Sequence, residues 1–341
     1  MPAHKLNEFL LRLIQRESLS RDEARLLLET ILDGEATDAQ ISAVLVALAA
    51  KGETVEELAG LATALRSRSV RLQSQHSCFI DTAGTGSSKA KTFNVSTAAA
   101  FVIAAAGLPV AKHGNRAASS KSGSADVLTE LGVNVSALPR HSETALNEIG
   151  ICFMFAPLYH GATARVAAIR RELGIHTSFN LLGPLSNPAG APRQIIGVFR
   201  KDLVEHLAKV LAELGTEHSW VVHGSDGLDE ITVAGKTHVA EARNDQVRTF
   251  DITPEEFGLN QGSLEHLRGG EVADNAQIIR EVLSGSRRDE ARSLVIMTAA
   301  AALLLGGKAE RLQDAAVLAA DAIDSGAANI KLELLIQASN G

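Results

Sequence analysis

Cysteine is nearly absent from this chain: Cys78 and Cys152 are the only two in 341 residues, far apart and with no CxxC pair. That excludes a disulfide framework and a thiolate metal cluster, and because both lie in apolar segments they are expected to be buried free thiols. The 11 histidines are scattered without the spacing of a zinc site. Positive charge is not in excess either. Lys and Arg number 33 against 40 Asp and Glu, a net charge of −7, which argues against nucleic acid as the main partner. No stretch reads as a membrane span, and the opening residues Met1 to Glu8 lack a basic region followed by an apolar run. A cytoplasmic, soluble protein with no membrane partner is the expectation. Internal repeats, low-complexity tracts and long linkers are also missing, while the length leaves room for two domains and a large core.

What is present begins with helix punctuation. Ser20 to Glu23, Thr37 to Gln40 and Thr54 to Glu57 are three successive capping boxes, each opening an amphipathic run. Leu26, Leu27 and Ile31 recur at helical spacing, as do Ile41, Val44, Leu45 and Leu48. Gly34 and Gly52 are placed to end the intervening helices. Residues 1–70 are therefore expected to form a helical domain supplying core and subunit contacts, with no chemistry of its own. Beyond about Cys78, short apolar runs alternate with helical ones, which predicts an α/β domain over 76–341 with a mainly parallel central sheet. Strands are expected at 78–81, 109–112, 151–155, 194–198 and 219–222, and helices at 97–106, 125–131 and 202–214. A strand at 231–233 and hairpin strands through Phe250 should follow, then C-terminal helices rich in Ala and Leu.

Two loops at the carboxyl ends of such strands have the composition of anion sites, the place where open α/β sheets bind ligands. The first runs from Asp81 through Gly84-Thr85-Gly86, Ser87, Ser88, Lys89 and Lys91 to Thr92 and Asn94-Val-Ser-Thr97. The second runs Lys112-His-Gly-Asn-Arg116, Ala117, Ala118, Ser119, Ser120, Lys121 to Ser124. Glycines let backbone N–H groups close around phosphate oxygens, and the apolar run after Thr97 should place a helix N-terminus behind them. Lys112, Arg116 and Lys121 add positive charge. Neither a P-loop ending nor a GxGxxG spacing is present. Two such loops imply a ligand with phosphate at both ends.

The run from Gly84 to Ser124 strongly resembles the anthranilate phosphoribosyltransferase family, with its GTGGD loop, NxST helix start and KHGNR segment followed by SSxSGSAD. One departure stands out: Ser87-Ser88 replaces Gly-Asp. The stretch Phe153 to His160 and the stretch Arg170-Arg171-Glu172 through Phe179-Asn180 to Asn187-Pro188 are similar to further segments of that family, although Gly161 stands where proline often follows the histidine. Asp226-Gly227-Leu228-Asp229-Glu230 is similar to a third.

The resemblance implies a small helical domain, with helices near 160–175 packing on it, and an α/β domain of nucleoside phosphorylase type. It implies transfer of the phosphoribosyl group of phosphoribosyl pyrophosphate to the amine of anthranilate, in tryptophan biosynthesis, by a homodimer formed through the helical domain. The donor is expected to be held by Gly84, Gly86, Ser87, Ser88, Thr92, Asn94, Val95, Ser96, Thr97, Lys112, His113, Gly114, Asn115, Arg116, Ala117, Ala118, Ser119, Ser120 and Ser124. Anthranilate is expected at Gly84, Asn115 and Arg170, the arginine pairing with its carboxylate as a planar two-donor fork. Mg²⁺, two ions per subunit, is expected at Ser96, Asp229 and Glu230. No covalent nucleophile is implied. An isolated Arg-Arg-Glu would otherwise form a surface ion pair, for instance between Arg170 and Glu172. Two other functions remain open from the residues: a pyrimidine nucleoside phosphorylase, and a non-catalytic paralogue that binds nucleic acid.

Overall fold

The computed structural model describes residues 3–86, 92–117, 122–265, 267 and 269–341. Four helices come first: α1 (Ala3–Ile14), α2 (Arg21–Leu32), α3 (Asp38–Lys51) and α4 (Val55–Ser67). The last three each start at a capping box. The hydroxyls of Ser20, Thr37 and Thr54 accept the N–H of Glu23, Gln40 and Glu57, whose side chains reach back to the cap backbone. Gly34 and Gly52, with φ of 80° and 85°, follow α2 and α3 in a conformation that side-chain-bearing residues rarely adopt. Glu57 does a second job. Its buried carboxylate also accepts the Leu19 N–H at 2.9 Å and the Lys51 ammonium at 2.8 Å, tying three helix ends together.

The remainder alternates. It runs β1 (Ile80–Asp81), α5 (Val95–Ala105), β2 (Val110–Gly114), α6 (Ser124–Glu130), α7 (Pro139–Ile149), β3 (Ile151–Phe155), α8 (Ala156–Tyr159), α9 (Ala164–Leu173) and α10 (Phe179–Leu185). Then come β4 (Arg193–Gly197), α11 (Leu203–Glu213), β5 (His218–Gly224), β6 (Thr237–Arg243) and β7 (Gln246–Ile252). Four helices end the chain: α12 (Val272–Leu283), α13 (Glu290–Leu305), α14 (Leu312–Asp324) and α15 (Ala327–Asn340). The strands form one seven-stranded sheet in the order β3-β2-β1-β4-β5-β6-β7. Pairing is parallel from β3 to β5 and antiparallel across β5-β6-β7. Asn244 and Asp245 both take positive φ in the β6-β7 turn, which suits the twist of a tight hairpin.

Two buried clusters cover the two faces of the sheet. One joins Ile80, Val110 and Met154 to α5, α13 and α15. The other joins Ile196, Val198 and Val221 to α11 and to the four N-terminal helices, and it also takes in Val166 and Ile169 of α9 and Leu181, Leu182 and Leu185 of α10. Among the described residues no helix is long and apolar enough to cross a membrane.

Three local expectations change. Residues 231–233 are buried but not a strand, because their polar groups bond to side chains and to the Gly262 N–H and not to the backbone of a neighbouring strand. The Thr232 N–H donates to Thr237 Oγ1 at 3.0 Å, the Thr232 hydroxyl donates to Asp226, and the Val233 carbonyl accepts the Gly262 N–H. β1 shrinks to two residues: Ile80 pairs with both β2 and β4, and Asp81 with β4. Both cysteines are free, but Cys78 is half-buried, its thiol 3.8 Å from the Gly306 carbonyl, whereas Cys152 is fully enclosed.

Candidate active site

At the carboxyl ends of β1, β2, β4 and β5 lies a cavity of about 390 Å³. It brings together most of the residues singled out above: Gly84, Gly86, Thr92, Asn94, Ser96, Thr97, the run from Lys112 through Ala117, Ser124, Arg170, Asp229 and Glu230. Val95 is apart from them. Its side chain is buried in the core and its N–H is held by the Phe93 carbonyl, whereas Ser96 and the buried Thr97, next along the first turn of α5, line the cavity. Ser87, Ser88, Lys89 and Lys91, and Ala118, Ser119, Ser120 and Lys121, lie outside the described residues.

The two loops are fixed by one buried carboxylate. Asp81 Oδ1 accepts the N–H of Ala83, which leads into the first loop, at 3.0 Å, and that of His113, in the second, at 3.2 Å. Gly197 supports the first loop from below. Its carbonyl accepts the Thr85 N–H at 2.9 Å, and its α-carbon packs against the Asp229 carbonyl so closely that no Cβ fits. The end of β4 thus joins the GTG turn to the acid pair.

Lys112 is buried, not displayed to solvent. Its ammonium donates to the Thr82 carbonyl and hydroxyl and to Ser96 Oγ at 3.3, 3.1 and 3.3 Å. Burial lowers its pKa, while Asp81 and Glu230 oppose that shift. The Glu230 carboxyl is raised, first by burial and then by neighbouring Asp229, with Lys112 and the Ser96 N–H pulling it back down. Ser96 and Glu230, far apart in sequence, therefore sit side by side. Among the described residues no three His, Cys, Asp or Glu side chains converge as a ready metal cage. Arg116 is partly committed, donating to Asp126 at 2.9 Å and lying 5.7 Å over the Phe155 ring.

His113 and His160 meet edge to face, ring centroids 5.1 Å apart. His113 Nδ1 is 3.2 Å from the Gly183 carbonyl, which can only accept, so the proton resides on Nδ1. Burial, then His160, push His113 down to about 3, and burial pushes His160 to about 4. Both rings are neutral at physiological pH.

Arg170 makes no ion pair with Glu172 or another carboxylate among the described residues. Its Nη2 donates to Asn180 Oδ1 at 3.1 Å, its guanidinium lies 5.5 Å over the Phe179 ring, and its Nε is buried without a partner. Burial lowers its pKa. A guanidinium held on an aromatic face with donors to spare is chemically able to accept a carboxylate partner. The Thr97 hydroxyl is likewise buried with no partner among the described residues.

Residues 7–69 match the model of the glycosyl transferase family helical bundle domain, and residues 76–329 that of its a/b domain. The anthranilate phosphoribosyltransferase of Desulfosudis oleivorans is 50% identical over 337 residues, covering 98% of this chain and 99% of that one. That of Moorella thermoacetica is 49% identical over 325 residues, covering 95% and 96%. The chain belongs to the anthranilate phosphoribosyltransferase family. Among solved members, the Thermus thermophilus enzyme superposes with a TM-score of 0.92 at 38% identity, covering 97% of this chain and 99% of that one. The Saccharomyces cerevisiae enzyme in complex with PRPP and Mg gives 0.89 at 29% identity, covering 99% and 98%.

The anthranilate phosphoribosyltransferase motifs do not include every residue of the cavity wall. Phe179 and Asn180 lie within a recognised string, yet neither their type nor their spacing points to a role. Gly269, Gly270 and Asn275 also line the cavity. A Gly-Gly pair ahead of a helix was their one local signal, and it reads equally well as a plain break.

Proposed function

We propose that this chain transfers the phosphoribosyl group of phosphoribosyl pyrophosphate to the amine of anthranilate, giving N-(5-phosphoribosyl)anthranilate and pyrophosphate, as a step of tryptophan biosynthesis. The observation that carries this reading is one cavity lined by the two loops, an acid pair and an arginine that has no carboxylate partner among the described residues. The first loop, with Gly84, Gly86, Ser87, Ser88, Thr92, Asn94, Ser96 and Thr97, and the second, from Lys112 to Ser124, hold the 5-phosphate and the diphosphate through N–H groups, hydroxyls and charge. The Thr97 hydroxyl, with no partner among the described residues, suits such an oxygen. Arg170 grips the anthranilate carboxylate while Asn115 and Gly84 border the amine.

Ser96, Asp229 and Glu230 offer only hard oxygen atoms, a donor set that fits Mg²⁺, with remaining positions left to diphosphate and water. Bound there, two Mg²⁺ per subunit would neutralise charge growing on the departing diphosphate. The bond from the anomeric carbon to the diphosphate oxygen breaks, its electron pair leaving with pyrophosphate. The amine lone pair forms the new C–N bond, and the surplus proton passes to solvent. An aromatic amine is unprotonated at neutral pH, so no side chain here needs to act as a strong base, and the neutral His113 and His160 are suited to shaping the pocket without repelling Lys112. Positioning and electrostatics supply the rate.

The same reading takes residues 1–70 and 76–341 as the two domains and a homodimer as the working form. Leu11 and Ile14 on α1, 60% and 64% exposed, and Val46 on α3 offer an apolar face on the helical block that suits a two-fold interface. Light scattering tests this, and a monomer mass at micromolar concentration would overturn it. The reaction itself is tested by following anthranilate fluorescence with and without phosphoribosyl pyrophosphate and Mg²⁺. Loss of fluorescence only when both are present supports it. Phosphorolysis of a pyrimidine nucleoside in its place would support the phosphorylase reading, and salt-sensitive DNA retention without turnover the non-catalytic one.

A further inference from the structure

The segment leading into α12 belongs to no motif named above, yet it closes one wall of the cavity. Gly269, Gly270 and Asn275 line that wall, and Asn275 is 2% exposed. α12 packs against both α5 and α6, the helices that follow the two anion loops. Gly269 approaches the Thr92 carbonyl so closely that no Cβ fits, which holds the wall against the end of the first loop.

The Asn275 side chain is oriented by a group that can act in only one way. The Gly270 backbone N–H donates to Asn275 Oδ1 at 2.9 Å. The other end of that amide, Nδ2, therefore faces Asn94, whose Oδ1 accepts it at 3.3 Å. The same Asn94 oxygen accepts the Ser122 hydroxyl at 3.1 Å. Its oxygen engaged twice, Asn94 keeps its N–H groups for other partners. Their contact with the Ser122 carbonyl is long, at 3.4 Å. Asn94 sits at the cap of α5 without making a side-chain cap bond, and Ser122 belongs to the second loop. One amide thus bridges the two loops, and a residue 181 positions away sets which of its ends faces which partner.

We propose that Asn275 is a positioning residue for the phosphoribosyl pyrophosphate site: through Asn94 it fixes the polarity and spacing with which the two anion loops meet the donor. The inference rests on the transfer reaction proposed above. Asn94 touches the ligand in this scheme, with its N–H groups, and Asn275 does not.

The test compares wild type with Asn275→Ala, Asn275→Asp, Asn94→Ala and the double variant Asn94→Ala/Asn275→Ala. Steady-state kinetics are run for both substrates, and phosphoribosyl pyrophosphate binding is measured by calorimetry with Mg²⁺ fixed. Aspartate still accepts the Gly270 N–H but turns a second oxygen toward Asn94, so the Asn94 amide must flip. The expected result is a donor KM and Kd raised about tenfold in Asn275→Asp and about fivefold in Asn275→Ala, with anthranilate KM within twofold. In the Asn94→Ala background, removing Asn275 should add less than twofold, because its effect passes through Asn94. Donor affinity unchanged in Asn275→Ala, or full additivity in the double variant, overturns the proposal, and both readings stand if the aspartate variant does not fold. Wild-type protein that binds phosphoribosyl pyrophosphate but never consumes anthranilate would count against the transfer reaction, and the binding comparison would still decide the role of Asn275.

Discussion

Asn187 Nδ2 donates to Asp81 Oδ2 at 2.7 Å and to the Ala111 carbonyl at 2.9 Å, deep beneath the cavity. The other oxygen of Asp81 holds the N–H groups of Ala83 and His113. Asn187 therefore completes the solvation of the carboxylate from which both anion loops start. Its replacement by leucine leaves a buried oxygen unpaired, at a cost of roughly 1–3 kcal/mol. Urea unfolding should show a lower midpoint with an unchanged slope. A midpoint equal to wild type would mean that water or another donor has taken the amide's place.

Arg170 is expected to govern the acceptor alone. Loss of a charge-assisted hydrogen bond costs roughly 1.5–3 kcal/mol, so Arg170→Ala should raise the anthranilate KM about tenfold or more. The donor KM should hold within twofold, because the two anion loops make no use of this side chain. Acceptor kinetics like those of wild type, in a folded variant, would remove Arg170 from the site.

The acid pair gives a metal prediction. Asp229→Asn combined with Glu230→Gln keeps shape and removes charge from the oxygen donors that line the cavity. Turnover should collapse and return only partly in excess Mg²⁺. Full activity of the unaltered protein after complete chelation would defeat the assignment of Asp229, Glu230 and Ser96 together.

The two edge-to-face histidines give a pH prediction. Their folded pKa values, about 3 for His113 and about 4 for His160, lie below the ordinary value of 6.5. The unfolded chain then binds protons that the folded one refuses, so stability is whole above pH 6.5 and falls as pH drops toward 4. Each ring contributes a slope of up to roughly 1.4 kcal/mol per pH unit in that window. His160→Asn should remove about one proton's worth of that slope in denaturation curves taken from pH 7 to 5. An unaltered slope would mean that His160 is already charged in the folded state.

The features legible in the sequence were those whose partners are near in the chain. Capping boxes are read from four residues, and all three stand as written. Glycine-rich turns marked both loops, and described residues of each line the one cavity. The strand expected at 231–233 failed because apolar type alone cannot show where backbone groups will find partners, and here they turn to the Thr237 hydroxyl and the Gly262 N–H. Neither Asn180, inside a recognised string, nor Asn275, after a Gly-Gly break, carried a signal of its own role. Asparagine is common on any surface, and what distinguishes these two is the group at the far end of the amide, Arg170 in one case and Asn94 in the other.

The two buried clusters bear on rate as well as on folding. Phe93 and Val95, beside the donor loops, belong to the cluster on one face of the sheet, whereas Val166, Ile169 and Leu181, which seat Arg170 and Asn180, belong to the cluster on the other. On the proposed reading the two reactants would be carried by separate packed bodies, and the join between those bodies would set their effective molarity. Contacts that touch neither substrate, such as the Val70 N–H, just beyond α4, donating to the carbonyl of Tyr159 in the other cluster at 2.8 Å, belong to that join. Loosening them would leave both substrates bound as tightly as before while the amine spends less of its time within reach of the anomeric carbon.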